Sequence, residues 1–407
     1  MKKVIVIIVL LAAALTMFSG CSTKQAQSTG RNELTIATFF ENRFLEYAAR
    51  KYEEMHDGVT ITINTYANEA DRDIPKYSQI INTALMSGRG EDIIDVSFLD
   101  WVTLADNNRL IDLNGKIDFA PGIYYQSVLD AYLYNSGRYA IPLSFYFTAF
   151  KFDNAFAYNE IPAVLTLDTL LTLAANYPDN PLFLSGTGLD AVSLAHMMFG
   201  MDFYDFIDLR NKTVSVDGAK FISMLEKINS ICNIRWPEQG ETAVLLEVLL
   251  YNPAMSINGV EDYTGMFLLT NDKGESLFSP IGFLPSINAN STNQELAIDF
   301  MQFLLSEEIQ SSPELMFNPV NILASAEMAA LVLAEVRAGG FAAPDFNLER
   351  NITIFNALAD NLAVVKHSDS FINDFVWTEM TRYFNGEVSA EQAARNLQSR
   401  LNTYLNE

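Results

Sequence analysis

Strand-like and helix-like patterns alternate along the chain from residue 34 onward. Residues 34–38, 59–63 and 93–99 are apolar or β-branched runs of strand length. Between them, apolar side chains recur at helical spacing: Leu45, Ala48, Tyr52 and Met55 in one segment, and Ile80, Ile81, Ala84 and Leu85 in the next. This βαβαβ order predicts an α/β fold in which a parallel sheet is covered by helices. Such sheets bind ligands in the crevice beyond the carboxyl ends of their strands.

The length of the chain and the pattern of its last third extend this prediction. A chain of 407 residues exceeds what one compact core normally holds, so we expect two lobes. The last third has mainly helical patterns, and capping boxes at residues 291–294 and 389–392 predict two helix starts. Residues 338–344 combine glycine, alanine and proline and are interpreted as a late linker.

Residues 1–20 have the organisation of a secretory signal peptide. Two lysines form a basic head, residues 4–15 are apolar, and Ser19 and Gly20 precede Cys21. The apolar run is too short for a membrane span. The stretch that ends in Cys21 resembles a bacterial lipobox, which implies cleavage before Cys21 and attachment of diacylglycerol to its sulfur. An ordinary signal peptide with an incidental cysteine is the alternative.

Residues 21–33 are interpreted as the lipidated cysteine and a flexible tether. Residues 22–32 are small and polar and have no apolar face. Eleven such residues reach roughly 18 Å as a flexible coil, which is enough to hold a folded body clear of the bilayer. The predicted location is therefore extracytoplasmic, at a cell membrane, with attachment through the lipid.

Charge and composition exclude several classes of function. The formal net charge is −24. So acidic a surface repels phosphate backbones, which excludes nucleic-acid binding. It also repels anionic lipid headgroups, so attachment to a membrane would have to come from the lipid on Cys21. Cys21 and Cys232 are the only cysteines, and the three histidines are far apart in sequence. Because no Cys/His cluster has the spacing of metal ligands, neither a metal nor another cofactor is predicted.

Five segments together carry a family resemblance. They are residues 77–101 (YSQIINTALMSGRGEDIIDVSFLDW), 139–154 (YAIPLSFYFTAFKFDN), 254–259 (AMSING), 317–321 (FNPVN) and 386–405. Residues 77–101 resemble a helix, turn and strand that end in an Asp-Trp-type pair, and residues 139–154 resemble a first crossing between lobes. Residues 254–259 resemble an Ala-Met-x-Ile-Asn-Gly motif, and residues 317–321 a Phe-Pro-Val-Asn motif with one residue inserted. Residues 386–405 resemble a terminal helix. All of these are features of the family 1 extracellular solute-binding proteins of ABC importers.

The resemblance implies the two-lobe fold of the type II periplasmic binding proteins, with a ligand cleft between the lobes. The N-terminal lobe is expected to comprise residues 34–143 and 286–338, and the C-terminal lobe residues 144–285 and 339–407. The resemblance also implies a function without catalysis. A monomer would capture a small solute, a carbohydrate or oligosaccharide, by lobe closure and deliver it to an ABC permease.

Candidate ligand contacts are aromatic and polar residues placed where strands end at the predicted cleft. Aromatic rings cover the apolar faces of sugar rings, while carboxylates, amides and hydroxyls satisfy sugar hydroxyl groups. The candidates are Phe39, Phe40, Glu41 and Asn42 after the first strand, Asp100 and Trp101 after the third, Ser144 and Tyr146 on the first crossing, Asn258, Glu261 and Tyr263 around the Ile-Asn-Gly stretch, and Phe317. Phe371 and Trp377 are further aromatic residues that could reach the cleft, although such residues of a helix belong more often to the core.

Several candidates have a structural interpretation as well. Phe39 and Phe40 cannot both face the cleft if the strand continues, because neighbours on a strand point to opposite faces. Asp100 is equally suited to cap a helix, and Trp101 to pack in a core. Glu261 stands where the family often has an aromatic residue, which leaves a carboxylate contact, a cationic ligand or a different loop conformation open.

Other functions remain open from the sequence. A peptide, a polyamine or another small solute is an alternative ligand, mainly because of Glu261. A carbohydrate-active surface enzyme would need two suitably separated carboxylates, for which Asp100 and Glu261 are the candidates. A receptor or adhesin that uses the fold without transport is a further alternative.

Overall fold

A computed structural model gives the fold of this chain for residues 32–67, 73–152, 164–176, 183–184, 190–232, 244–256, 259–260, 262–339, 346–365 and 370–406. Strands and helices alternate at the start of this part of the chain. The elements there are β1 (Glu33–Thr38), α1 (Arg43–Met55), β2 (Thr60–Thr65), α2 (Ile74–Met86), β3 (Ile93–Asp95), α3 (Trp101–Asp106) and α4 (Gln126–Asp130).

The remaining elements are short hairpins, a long central strand and the strands and helices around it. The first group is β4 (Leu133–Tyr134), β5 (Gly137–Arg138), β6 (Ser144–Phe152), β7 (Val164–Thr166), α5 (Leu167–Asn176), β8 (Phe183–Leu184), α6 (Ala191–Met201), α7 (Phe203–Phe206), β9 (Ile207–Asp208), β10 (Thr213–Val214) and α8 (Ala219–Cys232). The second group is β11 (Val244–Asn252), β12 (Met255–Ser256), β13 (Gly259–Val260), β14 (Met266–Thr270), β15 (Ser276–Pro280), β16 (Pro285–Ile287), α9 (Gln294–Leu304), α10 (Glu307–Gln310), β17 (Asn318–Pro319), α11 (Ile322–Ala338), α12 (Leu348–Ala359), β18 (Leu362–Val365), α13 (Ser370–Phe384) and α14 (Ala390–Asn406).

The first sheet is mainly parallel, as the βαβαβ order predicts. β1 lies between β2 and β3 and pairs with both in parallel, and β16 pairs with β3 in the antiparallel direction. β3 is shorter than expected, because it ends at Asp95 and not at residue 99. The Asp95 carboxylate accepts hydrogen bonds from the backbone N–H and the hydroxyl of Ser97, at 3.0 and 2.6 Å. These bonds turn the chain away from the sheet.

β6 is the central strand of the second sheet. Its first half pairs with β15 and β17 and its second half with β11 and β14, all in the antiparallel direction. Because successive side chains of a strand point to opposite faces, β6 contributes to two different cores. Phe145 and Phe147 belong to the first hydrophobic core, and Phe150 belongs to the second.

Most buried apolar residues of the described chain belong to two large hydrophobic cores. The first core includes Ile36 of the first sheet, and the second includes Phe221 of α8. Phe355 and Leu358 of α12 pack in the first core, although residues 339–407 are predicted to belong to the C-terminal lobe. The ring of Phe355 lies against the first-core side of β6, 5.0 Å from Phe147.

The chain passes between the two sheets at two adjacent crossings, one leading into β6 and one between β15 and β16. The Ile141 N–H donates to the Pro285 carbonyl at 3.2 Å, and the Ile281 N–H donates to the Ser144 carbonyl at 3.1 Å. These hydrogen bonds hold the two crossings side by side.

The two capping boxes have different outcomes. Ser389 accepts a hydrogen bond from the Gln392 N–H at 3.2 Å, just before α14, as predicted. The other box is wrong: α9 begins at Gln294, and the Ser291 hydroxyl donates to the carboxylate of Asp92 at 2.6 Å. The Ser291 oxygen accepts the Asn293 N–H at 2.9 Å, and Asn293, not Ser291, occupies the N-cap position of α9.

Candidate functional site

A cavity of about 340 Å³ lies beside the crossing strands. Strands β6, β11 and β15 form one wall, and helices α6 and α13 of the second lobe form the other. The lining residues are Tyr146, Phe147, Thr148, Ser193, His196, Met197, Met201, Leu249, Ser276, Leu277, Phe278, Ser279 and Trp377. This volume lies within the range of about 300–1,000 Å³ that is typical of small-molecule sites.

The lining combines aromatic rings, aliphatic side chains and hydroxyl groups. Tyr146 and Thr148 reach the cavity because alternate residues of β6 point away from the first core. Ser279 lies opposite Tyr146 in the neighbouring strand. None of these lining residues is Asp, Glu, Lys or Arg. The cavity therefore suits a neutral ligand that has both apolar faces and hydroxyl groups.

Helices α6 and α13 place an imidazole and an indole ring at the cavity. His196 Nε2 lies 3.2 Å from Asn373 Oδ1. When Nε2 carries the proton it donates to this amide oxygen, and the neutral ring keeps Nδ1 as an acceptor. The His196 ring centroid lies 5.7 Å from that of Trp377, edge to face. Trp377 is 44% exposed, so part of its ring surface is available to a ligand.

Two further aromatic rings, those of Phe317 and Tyr251, meet beside Tyr146. The centroid of Phe317 lies 5.8 Å from that of Tyr146 and 5.1 Å from that of Tyr251, and Tyr146 and Tyr251 are 6.2 Å apart. Phe317 has a backbone φ of +70°, a left-handed conformation that a bulky residue rarely adopts. Backbone strain of this kind occurs often at functional sites, and here it holds an aromatic ring next to the cavity.

The candidates that follow β1 have separate roles. Phe39 is fully buried, and its ring packs against Tyr77 and Phe98 at centroid distances of 4.6 and 5.2 Å. Phe40 is half-buried and Glu41 is exposed. Asn42 Oδ1 accepts the Leu45 N–H at 2.9 Å and so caps α1. With no exposed surface, Phe39 cannot touch a ligand in this conformation, as expected if one of the two phenylalanines is a core residue.

Asp100 and Trp101 lie at the start of α3. Asp100 is exposed and caps this helix, since its oxygens accept the N–H and the hydroxyl of Thr103 at 3.0 and 2.6 Å. The half-buried ring of Trp101 lies 5.9 Å from Tyr132 and 6.4 Å from Tyr134, centroid to centroid. Asp100 therefore caps a helix, as one interpretation of the sequence predicted. Its exposed carboxylate oxygens can still accept further hydrogen bonds.

Two candidate ligand contacts on or near the second sheet have buried side chains that form hydrogen bonds within the protein. The Ser144 hydroxyl is buried and donates to the Ile281 carbonyl at 3.0 Å, so it ties the two crossings together. Tyr263 is fully buried, and its hydroxyl donates to the Asn252 carbonyl at 2.6 Å. It belongs to the first core because the turn before β14 faces that side of the sheet. Asn258 and Glu261 lie outside the described residues.

The carboxyl end of β3 carries a buried carboxyl group near the second crossing. Burial raises the pKa of Asp95, while hydrogen bonds from Ser97 and from the Leu284 N–H oppose this shift. The Ser97 hydroxyl also lies 3.1 Å from the Gly282 carbonyl. Asp95 therefore joins the end of β3 to the segment that leads from one lobe to the other.

Sequence reasoning missed several residues that surround the cavity. His196, Ser193 and Ser279 line the cavity although none of them was a candidate. Trp377 lines it too, although a core position was favoured for it over the cleft. Tyr251 lies in the aromatic group beside it. Ser193, His196 and Met197 share one face of α6 through their helical spacing, but the same spacing is typical of a core-facing stripe. Only the placement of α6 beside β6 and β15 shows that this face lines a cavity and is not a core-facing stripe.

Two further kinds of feature do not occur in the described ranges. No helix there has the length and apolar character needed to cross a membrane. No group of three or more His, Cys, Asp or Glu side chains among these residues is arranged to hold a metal ion.

Similarity to known proteins is seen in structure and not in sequence. The sequence matches no protein-family model and no curated protein. A family 1 extracellular solute-binding protein from Alicyclobacillus acidocaldarius has a similar structure, with a TM-score of 0.58 and 14% identity over 94% of this chain and 100% of that chain. A periplasmic oligogalacturonide binding protein from Yersinia enterocolitica is also similar, with a TM-score of 0.56 and 14% identity over 92% of this chain and 99% of its own.

A cyclic α-maltosyl-1,6-maltose binding protein from Arthrobacter globiformis has a TM-score of 0.55 and 14% identity over 92% of this chain and 99% of that chain. These likenesses extend over both lobes. The chain therefore has the predicted α/β, two-lobe fold of the type II periplasmic binding proteins.

Proposed function

We propose that this protein is the substrate-binding component of an ABC importer and that it captures a carbohydrate between its lobes. The observation that carries this proposal is the cavity at the lobe crossings. Among the residues that the structure describes, its lining offers Tyr146 and Trp377 as aromatic surfaces, hydroxyl groups from Thr148, Ser193 and Ser279, and no Asp, Glu, Lys or Arg. A sugar presents apolar ring faces together with many hydroxyl groups, so this lining matches its chemistry.

Capture would proceed by a shift between open and closed arrangements of the lobes. A ligand that contacts both lobes binds the closed arrangement better than the open one and so increases its population. The cavity lies close to the crossings, since Tyr146 of its lining is near the start of β6, where the chain enters the second sheet, and movement of the lobes about the crossings would therefore act near a bound ligand. The closed protein would then dock on a membrane permease, and no bond of the ligand would be broken.

The ligand is proposed to be neutral. Two of the similar structures bind, by their names, an oligogalacturonide and a cyclic maltosyl-maltose, which supports the carbohydrate class. A carboxylated sugar would need a cation in the site, and a polyamine would need a carboxylate. The described lining supplies neither, so a neutral sugar is favoured over a uronate, a polyamine or a charged peptide.

An enzymatic function has less support. A glycoside hydrolase would place two carboxylates beside the scissile bond, whereas the described lining contains none. Asp100, one of the two carboxylates considered from the sequence, caps α3. We therefore propose binding without catalysis.

We further propose that the protein acts outside the cytoplasm as a lipid-anchored monomer. The sequence of residues 1–21 supports export and lipid attachment at Cys21, and residues 22–32 supply a polar tether. The tether would leave the lobes free to move and to reach a permease in the same membrane.

A binding screen with the purified protein tests the proposed function. The panel contains neutral mono- and oligosaccharides, uronates, amino acids, short peptides and polyamines. A ligand at 100 times its dissociation constant stabilises the folded state by about 2.7 kcal/mol, which appears as a higher melting temperature. We expect the neutral sugars to give this rise and to be recovered unchanged by chromatography. A rise only with polyamines or peptides contradicts the carbohydrate assignment, and cleavage of the sugar contradicts binding without catalysis.

A further inference from the structure

His196 is a lining residue of the cavity whose charge depends on pH near neutrality. Histidine side chains ordinarily gain or lose a proton between about pH 5 and pH 8. The other described residues of the lining are apolar, aromatic or hydroxyl-bearing, and none of them is Asp, Glu, Lys or Arg. The protonation state of His196 therefore decides whether this described lining is neutral or carries one positive charge.

Helix α13 holds the His196 ring at the cavity. Nε2 lies 3.2 Å from Asn373 Oδ1, and the ring centroid lies 5.7 Å from that of Trp377, one helical turn after Asn373. In the tautomer with a proton on Nε2, this nitrogen donates to Asn373 in the neutral and in the charged ring alike. Protonation therefore leaves the contact with Asn373 in place and changes Nδ1 from an acceptor to a donor.

The elements that pack against α6 are α8, α13 and β15. Neither α6 nor β15 contains a charged residue, and Asp190, just before α6, caps this helix by accepting the Ser193 N–H at 2.7 Å. The titratable residues of α8 are Lys220, Glu226, Lys227 and Cys232. The two lysines of α8 form ion pairs with carboxylates of α7 and α5, at 2.7 and 2.6 Å, so their charges are compensated there.

The charges of α13 lie outside the cavity lining. They belong to Asp374, Glu379 and Arg382, and Tyr383 is a further titratable residue. Glu379 is buried and forms ion pairs with Arg382 and with Arg400 of α14, at 3.0 and 3.4 Å. Asp374 is exposed, so water screens its charge. A charged His196 would therefore have no carboxylate beside it among the described lining residues.

A ligand that fills the cavity removes water from the His196 ring. Loss of water disfavours the charged form of a titratable group, and a neutral sugar brings no charge that would compensate. A sugar hydroxyl can donate to the neutral ring or accept from the charged ring, so hydrogen bonding favours neither form. The occupied cavity should therefore hold the proton less tightly than the empty cavity, and by linkage protonation weakens ligand binding.

We propose that His196 couples ligand binding to pH: the protein binds its sugar tightly with a neutral His196 and weakly with a protonated one. This inference rests on the proposed carbohydrate-binding function and adds a regulation of the same site. The affinity should be highest above about pH 7 and should fall as the pH drops through the range in which the free protein takes up the proton. A protein outside the cytoplasm would then capture less sugar from an acidic medium.

Isothermal titration at pH 5.5, 6.5 and 7.5 tests this coupling. The probe is the neutral sugar that raises the melting temperature most. We expect the wild-type protein to bind it about fivefold more weakly at pH 5.5 than at pH 7.5. His196→Gln should bind it equally at all three pH values, because an amide keeps a donor for Asn373 but takes up no proton.

Asn373→Asp changes the coupling without removal of the histidine. A carboxylate at this position stabilises the charged ring, so the loss of affinity should begin at a higher pH than in the wild type. A role of Asn373 in packing alone would leave the pH profile unmoved, and that result overturns the coupling through His196.

Proton release on binding is an independent measurement. Calorimetry of the wild type in two buffers with different ionisation enthalpies gives the number of protons released. We expect release of part of a proton at pH 6, and this measurement still tests the coupling if His196→Gln fails to fold or to bind. Absence of proton release overturns it.

The controls are His56→Gln and Glu247→Gln. His56 follows α1, and its ring stacks on Tyr52 at 3.9 Å, away from the cavity lining. Glu247 lies on β11, a strand of the cavity wall. Both variants should keep the wild-type pH dependence, and its loss in either of them, with retention in His196→Gln, overturns the assignment to His196.

The remaining outcomes separate the coupling from the proposed function. A wild-type affinity that is independent of pH, or higher at pH 5.5, overturns the coupling and leaves the proposed function standing. An equal pH dependence in His196→Gln and the wild type does the same. Failure of every sugar to bind at any pH overturns the proposed carbohydrate binding, and the coupling with it.

Discussion

The rings of Tyr146 and Phe317 lie 5.8 Å apart, centroid to centroid, and connect the first crossing strand with the loop before β17. The backbones are connected as well, since Asn318 of β17 pairs with Phe145 of β6. Tyr146 lines the cavity. Any change in the position of the Phe317 ring is therefore passed directly to a wall of the proposed binding site.

Trp377→Ala should weaken ligand binding with little loss of stability. The indole lines the cavity and is 44% exposed, so its removal takes contact surface from the ligand and little from the core. We expect at least about a tenfold increase in the dissociation constant, measured by calorimetry with the sugar that raises the melting temperature most. Phe371→Ala, on the same helix, is the matched control. Unchanged affinity of Trp377→Ala would remove this ring from the site.

Phe317→Gly should be more stable than Phe317→Ala. Both variants lose the ring and its contacts with Tyr146 and Tyr251, but only glycine adopts a φ of +70° without a Cβ clash. The expected difference in the free energy of unfolding is about 1 kcal/mol, measured by urea denaturation. Both variants should bind the ligand more weakly than the wild type. Greater stability of the alanine variant would show that the left-handed conformation is not required at this position.

Local patterns predicted the elements of the first sheet well. Alternating β-branched residues and helical stripes are properties of the segment itself. β1, α1, β2 and α2 form where they were expected, and β3 begins where it was expected but ends at Asp95. The errors arise where residues far apart in sequence contact each other. Ser291 has the sequence of a helix cap, but its hydroxyl binds Asp92, 199 residues away in sequence. No pattern around Ser291 reveals this partner.

The site was predicted only in part for the same reason. Tyr146 was found because it lies on a crossing segment that a motif marks. His196 and Trp377 lie on helices whose apolar spacing is that of ordinary packing. They line the cavity because α6 and α13 stop short of complete contact with β6 and β15. That gap depends on how elements far apart in sequence meet, which the helical spacing does not encode.

Cys21→Ser should release the protein from the membrane. The proposed anchor is a lipid on the Cys21 sulfur, and serine provides no thiol for its attachment. We expect the variant in the soluble fraction after cell fractionation, with its ligand affinity unchanged. Cys232→Ser is the control and should stay with the membrane. Retention of Cys21→Ser in the membrane fraction would contradict the lipid anchor.

Asp92→Ala should strongly destabilise the first lobe. Asp92 is 2% exposed, and its carboxylate accepts hydrogen bonds from the Thr35 N–H and hydroxyl, both at 2.8 Å, and from the Ser291 hydroxyl at 2.6 Å. Removal of the carboxylate leaves these buried donors without an acceptor, at an expected cost of about 3 kcal/mol or more. Glu335→Ala, an exposed carboxylate on α11, should change the unfolding free energy by less than about 0.5 kcal/mol. Similar values for the two variants would contradict the role of Asp92.

The Asp95→Asn variant should become more stable relative to the wild type as the pH rises. Burial raises the pKa of Asp95 in the folded protein, whereas in the unfolded chain the pKa is about 3.9. The folded state therefore binds the proton more tightly, and the associated stability is present at low pH and is lost as the pH rises through the folded-state pKa. Asparagine carries no charge at any pH, and its Oδ1 can still accept the hydrogen bonds from Ser97.

The measurement for Asp95→Asn is the free energy of unfolding of both proteins in urea between pH 4 and pH 8. We expect the variant-minus-wild-type difference to increase with pH from about 3.9 and to level off once the carboxyl group is ionised in both states. A difference that is constant or falls with pH would mean that Asp95 ionises as easily in the folded protein as in the unfolded chain. The carboxylate would then be stabilised by Ser97 and the Leu284 N–H more strongly than burial disfavours it.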